Sequence, residues 1–220
     1  GPDPNEQWYA TFNGDGTYVV GAGYSGICVW RVADGEFQYQ LQGSMELGFP
    51  NIHRLADAKK IAFSRNKPGE PTQWWELDIK SGTSREIGTS LGSMAGQASH
   101  LPAMDLSGHW IIDSEGTRLF IQTREELGTE RGIVIDAHEA IIFAVAVDDA
   151  GETAASVDSE GHIKVWDLLS SPPELTLEFQ EEPGEWVVEF DPYNKRLISF
   201  WGGGSANIHY LTDIPARCPV

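Results

Sequence analysis

Few of the reactive residues in this sequence stand at spacings that chemistry uses. His138, Asp158, Glu160 and Trp166 fall within AHEAIIFAVAVDDAGETAASVDSEGHIKVWD, and an imidazole near a carboxylate is a pair used in acid–base catalysis. No Gly-x-Ser-x-Gly turn and no Gly-rich phosphate loop accompanies them. The His residues lack metal-ligand spacing. Cys28 and Cys218 form no Cys-x-x-Cys pair, so a structural zinc is not expected. SVDSEG nearly matches a Ser-x-Asp-x-Gly box, but Glu160 occupies the Gly position. The other acidic pairs sit in turns, where Asp and Glu serve backbone geometry. The expectation is a protein that is not an enzyme and needs no cofactor and no metal.

Composition narrows the classes further. The 220 residues are 40% hydrophobic, enough to build a core. No apolar run approaches the ~20 residues that span a bilayer, and no basic, apolar leader opens the chain, so a cytoplasmic, non-membrane protein is expected. GPDP resembles the scar of a cleaved tag, and residues 1–7 are set apart as tag remnant or linker. The formal net charge is −18. Residues 1–110 hold 8 basic and 12 acidic side chains; residues 111–220 hold 7 and 21. Such a surface repels nucleic acid and favours a basic protein or peptide partner.

The elements that position these residues recur. DSEG occurs at 113–116 and again at 158–161. Bulky anchors fall at Trp30, Trp75, Ile121, Trp166 and Tyr210, each closing a short β-like run. Turn-forming stretches precede them: FNGDG from residue 12, RLADA from 54, MDLSG from 104, VDDAG from 147 and FDPYN from 190. Two series with one period indicate repeats, about residues 8–42, 47–89, 98–137, 141–180 and 186–220. Each repeat reads as four strands, clearest in IIFAVAV, ETAASV, HIKVWDL and ELTLEF, for about nineteen strands in all. TREELG, a weak helical hint, reads as a strand-to-turn link. One such sheet cannot bury both faces alone, whereas copies stacked around an axis can. The expected class is all-β, a β-propeller of four-stranded antiparallel blades over 8–220.

The fourth repeat resembles the WD-repeat family through Ala137-His138, the turn at Asp149–Gly151, Glu160-Gly161 and Trp166-Asp167. The resemblance implies that His138, a turn carboxylate (Glu160, or Asp158 beside it), a hydroxyl and Trp166 form a buried structural network rather than a catalytic one. It implies an interaction scaffold or ligand-sensing propeller within a larger signalling or assembly protein. Family rings usually have seven blades. The five repeats here are therefore either a closed ring, part of a seven-bladed one, or a set completed by a second chain or segment.

Contact candidates follow from this layout. Trp74, beside the Trp75 anchor, and Trp201, opening WGGGS, are the tryptophans expected to reach a partner. Arg65 and Lys67 lie in the long turn SRNKPGEPT. Met45, Phe49 and Met94 lie in connections between repeats, and Glu181, Glu182 and Glu185 form an acidic patch. The alternatives are a carbohydrate-binding propeller using exposed Trp, and a five-bladed glycoside hydrolase with carboxylates in the central tunnel.

Overall fold

The computed structural model describes residues 9–23, 26–42, 50–65, 70–93, 102–192, 195–201 and 204–211. These form nineteen strands in five antiparallel sheets. The first holds β1 (Tyr9–Phe12), β2 (Tyr18–Gly23), β3 (Gly26–Arg31) and β4 (Phe37–Gln42). The second holds β5 (Pro50–Arg54), β6 (Lys60–Arg65), β7 (Pro71–Asp78) and β8 (Thr83–Ser93). The third holds β9 (Ala103–Met104), β10 (Trp110–Glu115), β11 (Arg118–Thr123) and β12 (Ile133–Asp136). The fourth holds β13 (Ile142–Val147), β14 (Thr153–Asp158), β15 (His162–Asp167) and β16 (Glu174–Gln180). The fifth, three-stranded among the described residues, holds β17 (Trp186–Phe190), β18 (Arg196–Trp201) and β19 (Ala206–Tyr210). Strands pair in chain order within every sheet, and together they make a five-bladed β-propeller. TREELG contains a single 3₁₀ turn, Arg124–Glu126, between β11 and β12.

The first hairpin of each sheet has one register. Phe12 pairs with Val19, Arg54 with Ile61, Met104 with Ile111, Val147 with Ala154 and Phe190 with Leu197. These first partners open the five turn stretches picked out in the sequence. In three turns an Asn or Asp side chain takes the place of a backbone acceptor. Asn13 Oδ1 accepts the Tyr18 amide at 2.8 Å, Asp105 Oδ1 that of Trp110 at 2.6 Å, and Asp148 Oδ1 that of Thr153 at 3.1 Å. Gly16, Gly108 and Gly151 follow three residues later with φ near +70°, where a side chain would be strained.

The third strands correct the anchor series. Continuing the register, Val19 pairs with Trp30, Ile61 with Leu77, Ile111 with Gln122, Ala154 with Trp166 and Leu197 with His209. Trp75, Ile121 and Tyr210 are thus one or two residues off the position that Trp30 and Trp166 share. The DSEG repeat is similarly displaced: counted from the hairpin, Asp113 corresponds to Ser156, not to Asp158. Turn residues keep strict spacing because backbone angles require them, while loop length between second and third strands varies.

Four apolar clusters join neighbouring sheets. Val20, Ala22, Ile27 and Val29 meet Ile61, Phe63, Leu77 and Ile79 between the first and second. Trp74 and Ala62 meet Met104 and Ile111 between the second and third. Ile112, Leu119 and Ile121 meet Ile142, Trp166 and Leu168 between the third and fourth. Ala155, Val157, Ile163 and Val165 meet Trp186, Val188, Leu197 and Leu211 between the fourth and fifth. Burial of alternate residues on both faces of the sheets is what makes the stack cohere.

One interface substitutes charge for an apolar pair. Buried Glu76 stands at the position of Val29 and Val165, and Arg124 of the third sheet stands at that of Ile79 and Leu168. Arg124 bonds Glu76 at 2.7 Å, and Arg85 and Lys60 approach it at 2.9 and 3.0 Å. Burial raises the Glu76 carboxyl, but these three cations outweigh it and bring it to about 2. A depressed carboxylate stabilises the fold fully above its unfolded value and loses that contribution as pH falls toward the folded one. We expect Glu76→Gln to cost about 1–2 kcal/mol at pH 7, discounted because Lys60 and Arg85 are partly solvated. The difference from the parent shrinks between about pH 4.5 and pH 2, as denaturant midpoints across that range would report.

Candidate functional site

Because strands alternate in direction, the connections entering each innermost strand share one rim with the turns between second and third strands. The sharpest cluster on this rim lies over the fourth and fifth sheets. Its base is the fourth-sheet network. Trp166 Nε1 donates to Ser156 Oγ at 3.0 Å, and Ser156 Oγ lies 2.7 Å from His138 Nε2. His138 Nδ1 lies 3.0 Å from Asp158 Oδ2. A neutral imidazole protonated on Nδ1 satisfies this chain: indole to hydroxyl, hydroxyl to Nε2, Nδ1–H to carboxylate. Burial pushes His138 below its usual range, against the pull of Asp158, which favours that neutral form. The second Asp158 oxygen accepts the amides of Glu160 and His162, both at 3.0 Å. Asp158 is therefore the network's carboxylate. Glu160 is exposed and contributes only its backbone, a correction to its place in the expected network.

Above this base the connection between the fourth and fifth sheets is laid down by backbone bonds. The Glu181 amide donates to Gly161 O at 2.9 Å and the Gly184 amide to Ser159 O at 3.1 Å. Gly161 must be glycine: its φ is +83°, and a Cβ there would sit 2.4 Å from Glu181 O. Trp186, buried at the start of β17, donates from Nε1 to Glu182 O at 2.7 Å. Trp201 pairs with it across β17 and β18, with ring centroids 6.4 Å apart and planes tilted by 33°. Trp201 is 45% exposed; a Cβ on Gly184 would lie 3.3 Å from its Nε1, and Glu182 and Glu185, to either side of Gly184 in the chain, are open to solvent.

Glu181 is engaged differently. Its carboxylate accepts Ser199 Oγ at 3.1 Å and Asn207 Nδ2 at 2.8 Å, and lies 3.1 Å from His209 Nε2. Ser199 Oγ lies 2.9 Å from that same nitrogen. Burial holds His209 below its usual range despite Glu181. By register Ser199 corresponds to Ser156 and His209 to Trp166, and Glu181 precedes Ser199 as His138 precedes Ser156, so the fifth sheet carries a serine-centred network in which a carboxylate replaces the imidazole and an imidazole replaces the indole. Sequence reasoning missed it. The available signal was Ser199 at the turn-series spacing from Ser156.

The remaining contact candidates are dispersed. Trp74 is fully buried between the second and third sheets and is not a contact residue. In a propeller both sides of an inner sheet are interfaces, so facing away from the anchor meant facing a neighbour. Arg65, at the rim end of β6, lies over the rings of Phe63 and Trp75 at 5.2 and 5.0 Å, and burial lowers its pKa. Met45, Phe49, Lys67 and Met94 lie outside the described residues.

A second candidate is the central channel, about 410 Å³, lined by β1, β5, β9, β13 and β17, the innermost strands of all five sheets. Arg54 of the second sheet spans to Asp149 of the fourth at 2.7 Å. Glu189 opens onto the channel, yet its walls desolvate the carboxyl enough to raise its pKa. Burial pushes His53, against the ring of Trp74, down to about 4. The channel thus offers one carboxylate neutralised by a guanidinium and one biased toward its protonated form. Among the described residues no cluster of His, Cys, Asp and Glu is arranged to hold a metal ion, and no helix is long and apolar enough to cross a membrane. Compared with known families and curated proteins, the sequence matches no family model and no curated relative.

Proposed function

We propose that this chain is a non-catalytic interaction propeller of the WD-repeat type, working in the cytoplasm within a signalling or assembly protein. Its rim over the fourth and fifth sheets takes a basic segment of a protein partner. The Trp166–Ser156–His138–Asp158 relay supports the WD type. The observation that carries the binding reading is exposed Trp201, propped against Trp186 and close to Gly184 in the acidic stretch that carries Glu182 and Glu185. An exposed indole beside carboxylates suits a Lys or Arg side chain, which gains from the ring face and from the surrounding charge.

The test is calorimetric titration with a Lys/Arg-rich peptide and a neutral peptide of equal length. We expect only the basic peptide to bind, Trp201→Ala to weaken it about tenfold or more, and salt above about 0.1 M to weaken it steeply. Equal binding of the neutral peptide would refute this reading. The exposed indole is also what a carbohydrate-binding propeller would use. Salt-insensitive binding of an oligosaccharide, lost in Trp201→Ala, would replace the peptide with a sugar.

A further inference from the structure

A five-bladed ring has five interfaces between sheets, and the described residues build an apolar cluster at four of them. Among the described residues the seam between the fifth and first sheets has none, although both of its faces carry the residues that make cores elsewhere. On the fourth sheet, Ala155, Val157, Ile163 and Val165 face the next blade and are buried. On the fifth, Ile198, Phe200, Ala206 and Ile208 hold those positions by register. Phe200 is 38% and Ile208 52% exposed.

The first sheet shows the complementary face. Ile79, Leu168 and Leu211 each follow the third-strand anchor by two residues and pack on the preceding blade. Their amides make matching bonds, to Lys59 O, Glu152 O and Lys195 O at 2.8 to 2.9 Å. Val32 makes the same bond, to Thr17 O at 2.9 Å, so its position in the blade is the same. Its side chain is 45% exposed, where the other three are at 2, 4 and 3%.

We propose that this seam is a docking surface for one more four-stranded β-blade, carried by a partner polypeptide. The partner's chemistry follows from the two faces: an antiparallel sheet with apolar residues at alternate positions on both sides. Its first face fits the fifth sheet as the fifth fits the fourth; its second fits Val32 as the first sheet fits the second. This continues an interface the chain already makes four times. The seam is independent of the Trp201 rim, and every variant below leaves Trp201 in place.

The probe is the chain's own fourth-blade sequence, residues 137–184, co-expressed as a separate polypeptide with the full chain. We expect an equimolar complex in which the amides of β3 and β19 exchange about tenfold more slowly than in the chain alone. Val32→Asp and Ile208→Asp should each weaken the complex about tenfold, yet leave the melting temperature of the chain alone within about 2 °C, because those side chains face water. Unchanged exchange of the β3 and β19 amides beside a probe that circular dichroism shows to be folded overturns the proposal. So does a chain dimer abolished by Ile208→Asp, which would make the occupant a second copy. A monomer that Ile208→Asp destabilises strongly also overturns it, because the first and fifth sheets would then close on each other.

Discussion

Asp158→Ala is expected to cost about 3–5 kcal/mol in denaturant unfolding, because it takes the acceptor from three donors at once. Asp158 is buried and holds two elements at once. One carboxylate oxygen takes His138; the other takes the Glu160 and His162 amides that shape the turn under the rim. Truncation leaves the buried Nδ1–H of His138 and two turn amides without their acceptor. Each such group costs about 1–3 kcal/mol when water cannot replace the bond. Glu160→Ala is the matched control and should change stability by less than about 0.5 kcal/mol, because its side chain is exposed. The pH dependence separates the network from simple packing. His138 is held below its usual range in the fold, so the unfolded chain binds a proton first, and stability falls as pH drops below about 6.5. His138→Asn should make that limb shallower by the share of His138, leaving the shares of His53 and His209, which are also held below their usual range. A limb unchanged in His138→Asn would mean that another group sets it.

The sequence made the architecture legible where backbone geometry limits residue choice. Each first hairpin needs the same tight turn, so Asn13, Asp105 and Asp148 with their trailing glycines recur at fixed spacing, and the five turn stretches open on the observed register. Side chains that only fill space leave weaker marks. Trp30, Leu77, Gln122, Trp166 and His209 share one position without sharing a chemical type. Bulky residues therefore point to Trp75, Ile121 and Tyr210 nearby instead of to the shared position. The fourth-sheet network was legible because His138, Asp158 and Trp166 keep a family-like spacing. Its fifth-sheet counterpart was not, since Glu181, Ser199 and His209 deliver similar bonds from exchanged residue types. Nor could sequence distinguish the two sides of a sheet. Trp74 and Trp201 both precede or follow turns in aromatic-rich strands, yet one is enclosed by a neighbouring blade and the other stands at the rim.

That contrast sets the second large expected effect. Trp74→Ala should cost about 3–5 kcal/mol, the usual range for deleting a fully buried indole. Trp74 packs among Leu55, Ala62, Met104, Ile111 and Leu127, which join the second sheet to the third, so the cavity would open inside an interface that already spends one position on the Glu76–Arg124 pair. Trp74→Phe should cost much less. The Trp74 Nε1–H is buried with no acceptor, and phenylalanine removes that unsatisfied donor while keeping most of the apolar contact. Trp201→Ala should cost less than about 1 kcal/mol, because its ring already faces water. His53 supplies an independent readout. Its ring lies 5.0 Å from that of Trp74, and burial alone holds its pKa near 4. Removing the indole admits water to the imidazole, so a proton NMR titration of Trp74→Ala should move His53 up toward its unperturbed value of about 6.5. An unmoved His53 together with a small loss of stability would show that the second and third sheets are not held by this core, and the Glu76 clasp would then have to carry their interface.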